Sequence, residues 1–162
     1  PYDSEVFTRI WLKVQNEYMR EYRYMAGTAD LGFSLSQGTT SLSFTWSGFN
    51  DSLDQHVSDT ISNLLSMPPS ESIFDLQKEE LLDELANGYL EKSYIQAISK
   101  FQTLISDKGL ESKLIHEAMR GYTFTQFESD LSSWLKKGRF VWYISGNISP
   151  ETAIKIAEDG IS

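Results

Sequence analysis

The sequence predicts an α+β domain: an antiparallel sheet with helices packed on one of its faces, lacking its first strands. Three observations carry this. Leu31, Phe33 and Leu35 alternate with Gly32, Ser34 and Ser36, and beyond Gly38 the alternation resumes as Leu42, Phe44 and Trp46 against Ser41, Ser43, Thr45 and Ser47. Period-two patterning of this kind is the mark of a half-buried strand pair. The flanking segments switch to helical periodicity, and their order is helix, hairpin, several helices, strand, helix. A hairpin with a single apolar face has to bury it, and helices with one apolar stripe each supply the cover.

The first helix places Val6, Ile10, Val14 and Tyr18 four residues apart, joined by Phe7 and Trp11, with Asp3 or Ser4 as its cap. The hairpin follows Gly27-Thr28. Gln37-Gly38 is expected as its tight turn, with Gly38 supplying a positive φ. Asn50 or Asp51 then caps a helix whose stripe is Leu53, Val57, Ile61, Leu64 and Leu65, stopped by Met67-Pro68-Pro69.

From Phe74 to Ile105 the pattern is one long helix or two in series. Leu81, Leu82, Leu85 and Tyr89 face inward, Glu79, Glu80, Asp83 and Glu84 face outward, and Gly88 marks a bend. Asp107-Lys108-Gly109 breaks the pattern before a short helix from Leu110 to Met119. Thr123 or Thr125, with Gln126 or Glu128, makes a capping box for the next, which ends at Lys136, Lys137 and Gly138. Phe140, Trp142 and Ile144 read as a strand. Ser149 as N-cap, Pro150 as the first helical residue and Glu151 in the first turn open the last helix.

With 162 residues the chain is expected to be one domain, 1–162, and a fragment of a larger multidomain chain, because it starts at Pro1 and closes on a helical pattern. A net charge of -9 disfavours nucleic acid and anionic membrane, which are polyanions that need clustered cations. No segment reaches the roughly 20 apolar residues that span a bilayer. The absence of cysteine excludes disulfides and thiolate metal sites and fits a reducing compartment such as the cytoplasm. Asn50-Asp51-Ser52 and Asn147-Ile148-Ser149 have the glycosylation spacing, but turn and cap roles account for both. Trp11, Trp46, Trp134 and Trp142 all fall on periodic apolar faces, so core packing explains them better than a stacking platform for bases.

Neither histidine reads as catalytic. His56 is assigned to the polar side of its helix and to solvent. His116, Glu117 and Arg120 could form a proton-transfer group, but sequence neighbours diverge around a helix. The acidic group Glu79, Glu80, Asp83 and Glu84 lacks the spacing of a calcium loop and reads as a solvated face. The hydroxyl row of the hairpin is the feature that stands out from ordinary surface. Its residues offer no nucleophile, since no base is spaced to activate them.

The hairpin, the Gly48-Phe49-Asn50-Asp51 turn and the helix after it resemble the insulinase family of zinc metallopeptidases. So do Pro1-Tyr2-Asp3 and Glu21-Tyr22-Arg23-Tyr24-Met25-Ala26-Gly27 upstream, which resemble the start of that family's third homologous domain. Phe140 to Ser149, ending in Gly146-Asn147-Ile148-Ser149, resembles its strand before the next helix. The resemblance implies a non-catalytic domain, because the family's H-x-x-E-H zinc motif belongs to its first domain and the helix from Ile10 to Glu17 has no His. It implies no cofactor in this fragment and zinc in the catalytic domain of the parent enzyme. The expected partners are the other domains of the same polypeptide, peptide substrates and a second copy in a homodimer, with neither nucleic acid nor membrane. In such peptidases the open sheet faces line a closed chamber, which makes Ser34, Ser36, Ser41, Ser43, Thr45 and Ser47 candidate chamber wall. The alternative is a scaffold domain of a catalytically inactive relative.

Overall fold

The computed structural model describes residues 2–38, 41–66, 70–88, 91–105, 111–134 and 139–159. The chain runs α1 (Tyr2–Tyr18), α2 (Arg20–Thr28), β1 (Gly32–Gln37), β2 (Leu42–Ser47), α3 (Asn50–Ser66), α4 (Glu71–Asn87), α5 (Ser93–Ile105), α6 (Ser112–Gly121), α7 (Phe124–Trp134) and α8 (Pro150–Asp159). Among these residues the sheet is two-stranded and antiparallel, in the order β1-β2. The class is α+β.

The core is built on α1, whose stripe is buried as its periodicity requires: Val6, Phe7, Ile10, Trp11 and Val14 are all inaccessible. Each such side chain contributes about 1.5–3 kcal/mol relative to exposure. Around it close Phe74, Leu81 and Leu85 of α4, Ile115 and Met119 of α6, and Phe127 of α7. Trp11 is the hinge between the helical layer and the sheet. Its ring meets Trp134 at 5.1 Å and the edge of Phe44 at 6.3 Å, so α7, α1 and β2 share one aromatic contact chain.

Two capping expectations hold with their geometry. Gln126 N–H donates to Thr123 Oγ1 at 3.3 Å and Thr123 N–H donates to Gln126 Oε1 at 2.9 Å, a reciprocal capping box for α7. Thr152 N–H donates to Ser149 Oγ at 3.2 Å at the head of α8. The acidic face of α4 is exposed, and Lys13 ties it to α1 by ion pairs to Glu84 at 2.5 Å and Glu80 at 3.7 Å. The long helical stretch is two helices, separated at Gly88.

Other expectations are corrected. Helix α1 begins at Tyr2, so Asp3 and Ser4 lie within its first turn and do not precede it; α3 likewise begins at Asn50 and includes Asp51. Gly38 takes no positive φ. Pairing continues through Gln37↔Leu42, and Gly38 N–H donates to Ser41 O at 2.8 Å. Glycine suits position 38 for closeness instead, since a Cβ there would sit 2.9 Å from Ser41 Oγ.

Phe140, Trp142 and Ile144 do not form a strand. Burial still alternates there, with Trp142 and Ile144 half-buried and Phe140, Val141 and Tyr143 exposed, but no ladder joins the segment to β1 or β2. A strand exists only when a neighbouring edge accepts its hydrogen bonds. Here the attachment is through a side chain, Trp142 stacking on Trp46 with centroids 6.0 Å apart. Met67-Pro68-Pro69, Tyr89, the break at Asp107-Lys108-Gly109, Leu110, and Lys136, Lys137 and Gly138 lie outside the described residues.

Candidate functional site

Hairpin register decides which side chains share a surface. The pairs Gly32↔Ser47, Ser34↔Thr45 and Ser36↔Ser43 alternate with Phe33↔Trp46, Leu35↔Phe44 and Gln37↔Leu42. Phe33 and Trp46 meet at 5.5 Å, Phe44 stacks with Trp46 at 6.1 Å, and this apolar face lies toward α1. The opposite face carries Ser34, Ser36, Ser43, Thr45 and Ser47, all exposed, with Ser41 exposed at its loop end. All six hydroxyl residues singled out from the sequence are thus brought to one hairpin and left open to the outside.

His56 is the clearest correction at the site. It is 3% exposed, not solvated. Nε2 lies 3.2 Å from the Gly32 carbonyl and Nδ1 lies 2.9 Å from the Tyr22 hydroxyl. A carbonyl can only accept, so Nε2 carries a proton, and in the neutral ring Nδ1 then accepts the Tyr22 O–H. Thr60, fully buried one turn later, donates to the His56 carbonyl at 2.6 Å and lies 3.3 Å from the same Tyr22 hydroxyl. This polar knot fastens α3 to α2 and to the first residue of β1.

Beside that residue is a depression of about 530 Å³ between the α1–α2 helices and the start of β1. Asn16, Arg20, Arg23 and Gly27 line its helical side, and Leu31, Gly32 and Phe33 its strand side. Met19 bridges the two helices with unbroken backbone bonding, accepting from Arg23 N–H and donating to Gln15 O. Residues 16, 20, 23 and 27 therefore fall on one stripe, at steps of four, three and four. Periodicity and motif spacing do not single out this place. Its signal was present, as two arginines three residues apart on one face in an acidic chain.

Both ring nitrogens of His56 are engaged by Tyr22 and Gly32, and no three His, Cys, Asp or Glu side chains converge among the described residues. His116 and Glu117 lie on α6, neighbours on a helix that point apart.

A helix-backed hairpin with an exposed hydroxyl face, entered from an aromatic-rich helix pair, defines an α+β domain. The family described as the middle or third domain of peptidase_M16 matches residues 2–118. The chain belongs to that family. Among characterised proteins it is similar to the A-factor-processing enzyme of Saccharomyces cerevisiae, 22% identical over 153 residues, which is 94% of this chain and 15% of that protein. It is also similar to the insulin-degrading enzyme of Homo sapiens, 20% identical over 149 residues, 92% of this chain and 15% of that protein. The chain spans about 15% of the length of the relatives it matches.

Proposed function

We propose that this domain is a non-catalytic, substrate-enclosing part of an insulinase-like zinc metalloendopeptidase that degrades peptides. The observation that carries the reading is the division of the hairpin: one face is turned to α1 and the aromatic core, while the other is a row of exposed small hydroxyls. Ser34, Ser36, Ser41, Ser43, Thr45 and Ser47 form the wall that a peptide meets. Neutral hydroxyls of this size can donate or accept to a passing backbone without selecting one side chain. They add no charge to a chain that is already strongly acidic. Zinc, its activated water and the general base are supplied by another domain of the same polypeptide. A zinc ion held there would supply Lewis-acid chemistry toward the scissile carbonyl and a water of lowered pKa.

The test is made in the full-length polypeptide. Ser43→Trp places a large ring on the open face, and it should slow cleavage of long peptides while leaving a short fluorogenic peptide almost unaffected. Equal loss on both substrates, with the fold intact, would remove the wall reading. A full-length protein that cleaves no peptide in its native state would favour the inactive scaffold instead.

A further inference from the structure

Arg23 stands apart from the other cations of its neighbourhood. Arg9 pairs with Glu5 at 2.8 Å, Lys13 with Glu84, and Arg20 with Glu17 at 2.9 Å. Arg23 is half-buried, yet its recorded partner is a neutral amide, with Nη1 donating to Asn16 Oδ1 at 2.7 Å. Among the described residues it makes no ion pair, in a chain with 23 Asp and Glu. Glu21 on the same helix and Asp30 in the following turn are exposed and lie outside pairing distance of it. Partial removal of a guanidinium from water without a counter-charge costs free energy, and the bond to Asn16 holds the fork in one orientation while leaving further N–H donors unused.

Arg23 lines the depression at the start of β1. Tyr24 and Leu31 border it with apolar surface, and Gly27 leaves it open, since nothing lies within 4 Å of where a Cβ would stand. Gly32 connects it to the hydroxyl face, because Gly32 pairs with Ser47 and a Cβ there would run into the Ser47 hydroxyl. We infer that this depression binds a peptide carboxylate, with the Arg23 guanidinium as the group that receives it and Tyr24 and Leu31 as the surface for the adjoining apolar side chain. The inference rests on the reading of the hydroxyl face as a wall met by peptides, and it assigns the end of that wall to carboxylate capture. A planar fork matches the two oxygens of a carboxylate, and charge-assisted bonds of this type are about twice as strong as neutral ones.

The experiment measures binding of labelled peptides to the full-length polypeptide by fluorescence anisotropy. The probes are a peptide ending in Leu as the free acid, its C-terminal amide, and an amide whose last residue is Glu. The free acid should bind about tenfold more tightly than the Leu amide. Arg23→Gln should erase the difference while leaving the amide unchanged. Gly27→Asp should do the same by placing a carboxylate of the protein itself in the open space one helical turn from Arg23. A Glu amide that binds like the free acid identifies side-chain carboxylates as additional ligands; one that binds like the Leu amide restricts the site to chain termini. Free-acid preference that survives both substitutions overturns the site, as does its absence in the unaltered protein. Failure of all three peptides to bind overturns the wall reading, and this inference with it.

Discussion

The imidazole of His56 lies parallel to the phenol of Tyr22, with ring centroids 5.7 Å apart and planes 7° from each other, while its Nδ1 meets the Tyr22 hydroxyl at 2.9 Å. One side chain from α3 thereby joins α2 and, through Gly32, the edge of the sheet. The contact is local in space and distant in sequence, spanning 34 residues to Tyr22 and 24 to Gly32.

Because His56 is buried with both nitrogens engaged, His56→Ala should cost about 2–3 kcal/mol, combining lost packing with the loss of the bonds to the Gly32 carbonyl and the Tyr22 hydroxyl. Tyr22→Phe should cost about 1 kcal/mol. The double variant should lose less than the sum, since both changes remove the same bond. Urea denaturation followed by tryptophan emission measures all three, and strict additivity would dissolve the proposed knot.

The two faces of the hairpin should respond oppositely to neighbouring substitutions. Phe44 is half-buried against Trp11 and Trp46, so Phe44→Ser should cost about 2–4 kcal/mol. Ser43→Ala, one step along the strand on the exposed face, should shift stability by less than about 0.5 kcal/mol. Denaturation midpoints that rank the two the other way would invert the facing.

The cap of α7 gives a separate stability expectation. Thr123→Ala removes the hydroxyl that accepts from Gln126 N–H, at a cost of about 1 kcal/mol, while Thr123→Ser should retain most of it. Thermal melts of the two variants distinguish the cap from a general effect at this position.

Glu151 supplies a pH signature at the head of α8. Its carboxyl is held below the ordinary value by its own backbone N–H and, secondarily, by the Ser149 hydroxyl, against a small opposing effect of burial. A carboxylate whose folded pKa is depressed contributes stability that is present above its unfolded pKa and lost as pH falls through the folded one. The expected window is therefore acidic, below the usual glutamate range. Carboxyl-carbon NMR should show Glu151 titrating lower than an unperturbed glutamate, and Ser149→Ala should move it upward; no movement would assign the whole effect to the backbone.

How much of this was legible beforehand depends on the range of the interactions involved. The stripe of α1, the two faces of the hairpin, the Thr123–Gln126 box and the Ser149 cap are encoded in residues a few positions apart, where periodicity and hydrogen-bonding capacity leave few alternatives. The hydroxyl row was readable for the same reason, since alternation in a strand assigns a face at every position. His56 was misread because it borders the Val57 stripe, and helical spacing alone does not say whether a border position meets water or another element. Arg23 was passed over because its environment is made by Asn16 on one helix and by Leu31 and Gly32 on a strand.

The sequence by itself determined the α+β class, the local elements and which residues of the hairpin would share a surface, because these follow from backbone geometry repeated over short stretches. Only the tertiary structure decided that His56 is a buried fastener, that Phe140 to Ile144 attaches by the Trp142 ring and not by a ladder, and that an arginine with no counter-ion among the described residues lines an open depression. Each of those outcomes turns on what arrives from a distant part of the chain. A histidine is buried when acceptors and donors meet it, a strand forms when an edge is free to receive it, and a charge stays unpaired when no acid packs within reach.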